Sequence, residues 1–190
     1  MVGVLLAAGR STRYGAANKL LADLDGRPVV ARAAAALASA DLDAVLAVVG
    51  FEHGRVRTAL GDAVDDVLVN ESWADGQGTS VAAGAEAARS RDADAVLFAL
   101  GDMPWVGPEA VAALRDAYRG GLGDALAAAH EGRRGNPVLF DARHCDALAA
   151  LDGTTGGAAV FADSEDAALV ETGDPGVRRD VDRPSDLEPP

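Results

Sequence analysis

An apolar run near the N-terminus reads Val2-Gly3-Val4-Leu5-Leu6-Ala7 and leads directly into Ala8-Gly9. An uninterrupted apolar run that ends in a glycine turn is typical of a strand buried on both faces in a parallel sheet. Three later runs have the same character and predict further strands: Ala44–Val49, Val64–Val69 and Ala95–Leu100. Alanine-rich stretches between the runs predict helices near Val29–Ser39, Arg55–Leu60 and Ser80–Arg89. Strands that alternate with helices predict an α/β fold with a wound, mostly parallel sheet.

The second half of the chain has a different texture and predicts a small β addition to that sheet. Helices are predicted at Pro108–Tyr118, Ala142–Leu151 and Ala158–Ala162. Strands are predicted at Ala125–Ala129 and Val138–Phe140, around the turn Gly132-Arg133-Arg134-Gly135, and at Ala168–Glu171 and Val177–Val181. We expect one domain over residues 1–190, with residues 185–190 frayed, because 190 residues suffice for one compact core.

Composition excludes several classes of function. The net charge of −13 would repel phosphate backbones and anionic lipid, so nucleic-acid and membrane partners are not expected. No apolar run reaches the roughly 18 residues that span a bilayer, and the N-terminal apolar run lacks the positive flank of a signal peptide, so we expect a cytoplasmic protein. The single cysteine, Cys145, allows neither an internal disulfide nor a cysteine-based zinc site.

The loop after the first strand has the chemistry of a phosphate site. It reads Gly9-Arg10-Ser11-Thr12-Arg13-Tyr14-Gly15-Ala16-Ala17-Asn18-Lys19 and contains the only lysine of the chain. Small residues let backbone N–H groups approach an anion, hydroxyls donate to it, and Arg13 with Lys19 would balance its charge. The loop matches neither G-x-x-x-x-G-K-[ST] nor G-x-G-x-x-G, which argues against a P-loop NTPase and a dinucleotide-binding oxidoreductase. Spacing alone leaves a solvated polar loop as an alternative.

A carboxylate follows the fourth apolar run, in Leu100-Gly101-Asp102-Met103-Pro104. A nucleoside triphosphate arrives with Mg²⁺, and this hard cation prefers an oxygen ligand held at the end of a rigid element. In a wound sheet the loops after the first and fourth strands meet at one edge, so Asp102 would face the phosphate loop. Without that loop, Asp102 would be read as a turn residue before proline.

The two loops together carry a family resemblance. The segment from Leu6 to Gly15, followed by Lys19, resembles the L-A-[AG]-G-x-[SG]-x-R-x-G-x(n)-K signature of the nucleotidyltransferases with a MobA-like NTP transferase fold. Gly101-Asp102-Met103-Pro104 and Arg179-Asp180-Val181-Asp182-Arg183-Pro184-Ser185-Asp186-Leu187 are similar to that family's metal-binding and closing segments. The resemblance implies a sheet of the nucleotide-diphospho-sugar transferase type.

The resemblance also implies roles for individual residues. The triphosphate would be wrapped by the first loop, with Arg13, Lys19 and Asp102 as catalytic residues and Mg²⁺ as the cofactor. Asp102 and Asp182 would bind the metal. Asp180 and Asp182 would share one face of a strand, so either of them could be the second metal ligand. A helix-capping role for this stretch, with Pro184 and Ser185, is an alternative to metal binding. The nucleotide would also contact the following residues: Leu6, Ala7, Ala8, Gly9, Arg10, Ser11, Gly78 and Ser80. Thr79 or Ser80 would cap the helix that follows.

The choice of substrates follows from finer resemblances. Ala7-Ala8-Gly9 is similar to the version of the first loop associated with cytidylyl transfer, and Arg134-Gly135-Asn136-Pro137-Val138-Leu139-Phe140 resembles the molybdenum cofactor cytidylyltransferases. Arg134 and Asn136 would then bind the acceptor. That branch commonly has G-D-x-G-A-R where this chain has Gly153-Thr154-Thr155-Gly156-Gly157-Ala158, and the missing charges leave the acceptor open.

The implied reaction is transfer of a nucleoside monophosphate from CTP to the phosphate of molybdopterin, with release of pyrophosphate and with a molybdoenzyme as recipient of the product. Two alternatives within the class are GTP as the nucleotide and another small phosphate monoester as the acceptor. A third alternative is a non-catalytic module that binds nucleotide or cofactor and hands it to a partner. A Rossmann-type oxidoreductase is disfavoured by the absent G-x-G-x-x-G.

Overall fold

The computed structural model describes residues 1–10, 14–15, 17–153 and 155–187. The strands of this part of the chain are β1 (Val2–Ala7), β2 (Asp23–Leu24), β3 (Arg27–Pro28), β4 (Ala44–Val49), β5 (Asp66–Val69), β6 (Ala95–Leu100), β7 (Ala125–His130), β8 (Arg133–Asp141) and β9 (Ala167–Glu171). The helices are α1 (Val29–Ala38), α2 (His53–Leu60), α3 (Gln77–Arg89), α4 (Pro108–Arg119), α5 (Cys145–Ala149) and α6 (Gly157–Asp163). Short 3₁₀ turns lie at Lys19–Leu21, Gly61–Ala63, Trp73–Asp75, Ala142–His144, Pro175–Arg178 and Pro184–Leu187.

Seven strands form one sheet in the order β5-β4-β1-β6-β8-β7-β9. Strand β1 lies in the middle and pairs in parallel with both β4 and β6. Only β8 runs against the others, since it pairs antiparallel with β6 and with β7. Strands β2 and β3 pair separately as a small hairpin. The predicted α/β fold with a mostly parallel, wound sheet is therefore confirmed.

Helices cover both faces of the sheet. On one face α1 packs against β1, α2 against β4 and α4 against β7 and β8. On the other face α3 packs against β1, β4 and β6, and α5 packs against α3. All six residues of β1 are buried, as the uninterrupted apolar run predicts. The packing of α3 is especially close, because a Cβ added at Gly84 would lie 2.7 Å from Cγ1 of Val4. None of the described helices is long and apolar enough to cross a membrane.

Two predicted elements need correction. The segment predicted as a strand at Val177–Val181 forms a 3₁₀ turn, Pro175–Arg178, followed by extended chain outside any strand, so Asp180 and Asp182 do not share a strand face. The Asp174 side chain accepts from the N–H of Gly176 and starts this turn, which strand periodicity does not reveal.

The hairpin turn lies earlier than predicted. Glu131 and Gly132 both have positive φ angles, 53° and 69°, and connect β7 to β8 as a two-residue loop. Arg133, Arg134 and Gly135, expected in the turn, already belong to β8. At the C-terminal end, where fraying is expected for 185–190, Pro184–Leu187 form a 3₁₀ turn and residues 188–190 lie outside the described part.

Candidate active site

The ends of β1 and β6 meet at one edge of the sheet. The N–H of Gly101 donates a hydrogen bond of 2.9 Å to the carbonyl oxygen of Leu6, so the loops after these two strands begin side by side. The strand order reverses direction at this point, since β4 lies on one side of β1 and β6 on the other. Such a switch point opens a crevice at the carboxyl ends of the strands. Asp102 follows Gly101 and lies at this crevice.

Lys19 is held by a short turn that its neighbour caps. The Oδ1 atom of buried Asn18 accepts a hydrogen bond of 3.1 Å from the N–H of Leu20 and starts the 3₁₀ turn Lys19–Leu21. Leu20 is buried in the core and anchors the turn. This local structure fixes the backbone of Lys19 at the crevice.

The Lys19 ammonium joins two carboxylates from distant parts of the chain. Its Nζ lies 2.6 Å from Oδ2 of Asp102 and 3.2 Å from Oδ1 of Asp182. The Lys19 side chain is 14% exposed and that of Asp102 is 21% exposed, so the pair is largely shielded from water. The structure thus brings together the lysine and the two aspartates that the sequence singles out.

Asp182 reaches this position because the preceding residue is tied to Asp102. The N–H of Val181 donates a 2.8 Å hydrogen bond to the carbonyl oxygen of Asp102, and the Val181 side chain is fully buried beside Leu24 and Val29. On the other side, Oδ2 of Asp186 accepts from the N–H of Asp182 at 2.9 Å. The closing segment is thereby held against the crevice without belonging to the sheet.

Burial and charge shift the pKa values of this cluster. Burial raises the pKa of Asp102 above the usual value; the Lys19 charge opposes this rise and the Asp180 charge adds to it. Burial alone would lower the pKa of Lys19, but attraction to Asp102 and Asp182 and hydrogen bonds to both outweigh it, so the pKa is raised. Lys19 is therefore positively charged at neutral pH.

A cavity of about 380 Å³ opens beside the cluster. This volume lies in the usual range of small-molecule sites. Its wall on the β1 side consists of residues predicted to contact nucleotide: Leu6, Ala7, Ala8 and Gly9. Lys19, Asp102, Asp182 and Ser80 also line it.

The two glycines at the start of α3 occupy different places. Gly76 lines the cavity and Gly78 does not. Both pack against backbone, since a Cβ on Gly76 would lie 1.8 Å from the carbonyl oxygen of Gly153 and one on Gly78 would lie 1.7 Å from that of Asp152. Helix α3 begins at Gln77, earlier than predicted, and Gly76 occupies its N-cap without a side-chain cap. Neither Thr79 nor Ser80 is the N-cap, because both lie inside the first turn.

An aromatic pair flanks the cavity. Trp73 lines it and packs against Phe51, with ring centroids 5.6 Å apart. Arg10, expected to contact nucleotide, lies with its guanidinium carbon 5.7 Å from the centroid of Phe51 and is not part of the cavity wall.

A second cavity, of about 370 Å³, adjoins the first. The two share the side chains of Leu6, Gln77 and Leu100 as a common wall. Arg134 and Asn136, predicted to bind the acceptor, both line the second cavity. Two ligands bound in the two cavities would therefore lie next to each other.

The carboxylates fit a divalent cation in chemistry. Within the described ranges no group of three or more His, Cys, Asp and Glu could hold a metal by itself. Asp102 and Asp182 nevertheless place carboxylate oxygens around one ammonium, and hard cations accept such oxygens together with phosphate oxygens and water. These two residues would hold the metal, with the nucleotide as a further source of ligands.

Some predicted residues cannot be placed, and some lining residues were missed. Ser11, Thr12 and Arg13 lie outside the described residues. Gln77 and Leu100 were not predicted although both line the two cavities. A signal for Gln77 existed, because it stands between Gly76 and Gly78 just before a predicted helix.

Comparison with known proteins identifies a family and several similar proteins. A family model described as MobA-like NTP transferase domain matches residues 3–168. Nicotine blue oxidoreductase from Paenarthrobacter nicotinovorans is 30% identical over 189 residues, which are 96% of this chain and 92% of that protein. A nucleotidyl transferase from Methanothermobacter superposes with a TM-score of 0.80 at 26% identity, over 97% of this chain and 93% of the other. Rv0371c from Mycobacterium tuberculosis, in a complex with manganese, gives a TM-score of 0.75 at 26% identity, with coverages of 97% and 94%.

Proposed function

The chain belongs to the MobA-like NTP transferase family, and from that premise we propose that it transfers a nucleoside monophosphate from CTP to the phosphate of molybdopterin. Pyrophosphate is the second product. The nucleotidyltransferase class follows from the family, whereas the nucleotide and the acceptor are the finer part of the proposal.

The observation that carries the proposal is the contact of one ammonium with two carboxylates at the wall of a nucleotide-sized cavity. Lys19 supplies positive charge for a polyphosphate, and Asp102 with Asp182 supplies oxygen ligands for its cation. Transfer of a phosphoryl group requires positive charge for the phosphates and negative charge for their metal ion, close together in one site.

The residues have distinct tasks in this reaction. An oxygen of the acceptor phosphate attacks the α-phosphorus of the nucleotide, and pyrophosphate leaves in line on the opposite side. No covalent bond to the protein forms, so the chain contributes positioning and charge stabilisation. Lys19, and Arg13 from the undescribed part of the loop, would stabilise the negative charge that grows on the pyrophosphate. A divalent cation, proposed to be Mg²⁺, would neutralise phosphate charge when held by Asp102 and Asp182.

The two adjoining cavities support a reaction between two bound molecules. The nucleotide would occupy the cavity of Lys19, with Ser80 near its nucleoside, and the acceptor would occupy the cavity of Arg134 and Asn136. The preference for CTP rests on the resemblance of Ala7-Ala8-Gly9, and that for molybdopterin on the segment from Arg134 to Phe140. We further propose a cytoplasmic location and a molybdoenzyme as recipient of the product.

The test is incubation of the purified protein with each of the four NTPs, molybdenum cofactor and Mg²⁺, with measurement of pyrophosphate and mass spectrometry of the product. We expect the cytidine dinucleotide form of the cofactor and pyrophosphate in equal amounts. A product formed from GTP, or from a different phosphate monoester in a parallel panel, would overturn the proposed substrates. It would still support nucleotidyltransferase activity. Nucleotide binding without turnover of any NTP would favour a non-catalytic carrier.

A second candidate is oxidoreduction of a compound such as nicotine blue, which the name of the Paenarthrobacter relative favours. The absence of G-x-G-x-x-G from the chain argues against a nicotinamide site of the usual kind. Oxidation of NADH or NADPH by the protein in the presence of a quinonoid dye, with no pyrophosphate formed from any NTP, would favour this candidate.

A further inference from the structure

Arg134 is a cation at the wall of the second cavity, and no carboxylate among the described residues pairs with it. The chain contains 30 Asp and Glu residues, and other arginines, such as Arg32, Arg89 and Arg115, contact carboxylates. Among the described residues the guanidinium of Arg134 has neither a hydrogen-bond partner nor an ion-pair partner, and burial lowers its pKa. Its N–H donors are thus available to a ligand in the second cavity.

Phe161 contacts Arg134 from outside that cavity. The guanidinium carbon of Arg134 lies 3.9 Å from the centroid of the Phe161 ring, within the range of a cation–π contact. Phe161 is not part of the cavity wall, whereas Arg134 is. An aromatic face attracts the guanidinium without using its N–H donors, which lie in the plane of the group.

The position of Phe161 is itself supported at both ends of α6. At the start of the helix, a Cβ on Gly157 would lie 3.8 Å from Phe140 and Leu148, so the backbone rests on core side chains. Directly after the helix, the hydroxyl of Ser164 donates a 2.6 Å hydrogen bond to Oδ1 of Asp124. Phe161 is therefore presented by a helix attached at both ends.

The floor of the second cavity is apolar. It consists of the buried side chains of Leu6, Val81, Phe98, Val138 and Phe140. Arg134, Asn136 and Gln77 bring polar groups to the cavity wall. The cavity therefore fits a molecule with an apolar body and one oxyanion.

We propose that Phe161 is a positioning residue that holds the Arg134 guanidinium edge-on to the second cavity, where it binds the oxyanion of an acceptor with an apolar body. The proposal rests on the proposed function for the identity of that molecule as the acceptor. Phosphate and carboxylate share the chemistry that a guanidinium recognises, and the test separates them.

The test measures binding, not transfer. The probe is 4-methylumbelliferyl phosphate. Its analogue without an oxyanion is 4-methylumbelliferone, and a carboxymethyl ether of the same ring tests a carboxylate. Binding of each compound is measured by fluorescence titration. The variants are Phe161→Leu, which keeps apolar bulk without the ring, Phe161→Tyr, which keeps the ring, Arg134→Gln, and the double variant with Arg134→Gln and Phe161→Leu. Thermal unfolding of each variant reports on the fold.

We expect Phe161→Leu to weaken binding of the phosphate probe roughly two- to fivefold, the size of an exposed cation–π contact. We expect Phe161→Leu to leave the affinity for the analogue without an oxyanion unchanged. Phe161→Tyr should bind the phosphate probe as tightly as the unsubstituted protein does. In the Arg134→Gln background, Phe161→Leu should cause no further loss of affinity for the phosphate probe. The carboxylate arm identifies which oxyanion is preferred. If transfer occurs, Phe161→Leu also raises KM for the acceptor and leaves KM for the nucleotide unchanged.

Three results would overturn the proposal: equal loss for the phosphate probe and its analogue, a further loss in the Arg134→Gln background, or no preference of the unsubstituted protein for an oxyanion. Because binding is measured without nucleotide, these results remain interpretable when no NTP yields a product. Failure of the proposed function and failure of this inference are therefore distinguishable.

Discussion

The N–H of Val181 donates a hydrogen bond to the carbonyl oxygen of Asp102 at 2.8 Å, which attaches the end of the chain to the loop after β6. The contact places Asp182, the next residue, on the same ammonium as Asp102. The two proposed metal ligands are thus connected through backbone as well as through Lys19. Stability of the closing segment and geometry of the site should depend on each other.

Val181→Ala tests this dependence. The Val181 side chain is fully buried, so its truncation should cost roughly 1–3 kcal/mol of unfolding free energy, from lost burial and the cavity left behind. Urea denaturation measures this loss, and Mn²⁺ titration should show weaker metal binding because Asp182 is held less firmly. Reduced stability with unchanged Mn²⁺ affinity would show that the segment does not need this anchor to present Asp182.

Lys19→Met should bind a divalent cation more tightly in the absence of nucleotide. The ammonium contacts both carboxylates, so a cation entering between them competes with it. Its removal takes a counter-charge away from largely buried Asp102 and half-buried Asp182. Electron paramagnetic resonance of free Mn²⁺ measures the affinity, and Asp182→Asn serves as the opposite control, with weaker binding. Unchanged or weaker Mn²⁺ binding by Lys19→Met would contradict the competition.

The same substitution should impair catalysis. If Lys19 is a preorganised charge for the leaving pyrophosphate, Lys19→Met should lose ~2–4 kcal/mol of transition-state stabilisation, a fall of roughly 30- to 900-fold in kcat. Pyrophosphate release under saturating substrates gives the rate, with Arg27→Met, an exposed cation on β3, as a matched charge control. A rate equal to that of the control would remove Lys19 from the mechanism.

Asp102→Asn keeps the shape of the side chain and removes its charge. Asp102 is largely buried against Lys19, so we expect loss of metal-dependent nucleotide binding together with a fall in kcat of at least about 10²-fold. Isothermal titration of nucleotide with and without Mg²⁺ separates the two effects. Metal-dependent binding that survives in Asp102→Asn would assign the metal to other residues.

The site was largely predictable because its chemistry is concentrated in unusual residues. Lys19 is the only lysine and Asp102 follows a buried strand, and both features are visible without coordinates. The sequence could not show that Asp182 and not Asp180 contacts Lys19, because that choice depends on the backbone contact of Val181. Expecting a strand there was wrong, since alternation in a short segment does not distinguish a strand from a capped turn beside extended chain.

Interactions between distant residues account for most of what was missed. The central strand β1 was predictable from its own residues, because burial on both faces demands an apolar run. Phe161 carries no such signal: its importance depends on a contact with Arg134 in a different element. The early start of α3 likewise follows from the packing of Gly76 and Gly78 against the loop near Asp152, which local helix signals do not report.

Asp124 should make stability depend on pH in the acid range. Burial would raise its pKa, but hydrogen bonds from Ser164 and His144 and the charge of Arg143 outweigh burial and lower it below the usual 3.8. A carboxyl whose pKa is lower in the folded protein than in the unfolded chain adds stability above its unfolded pKa, and this stability disappears as the pH falls through the folded pKa.

Replacement of Asp124 by Asn should flatten this dependence. Unfolding free energies from urea titrations between neutral pH and about pH 3 should fall less steeply for Asp124→Asn than for the unsubstituted protein, with Asp62→Asn, an exposed carboxylate in the Gly61–Ala63 turn, as control. Because Asp124 also holds Ser164 after α6, the preference of the second cavity for an oxyanion should decline over the same pH interval. Parallel stability curves for Asp124→Asn and the unsubstituted protein would mean that this carboxylate does not contribute through its ionised form.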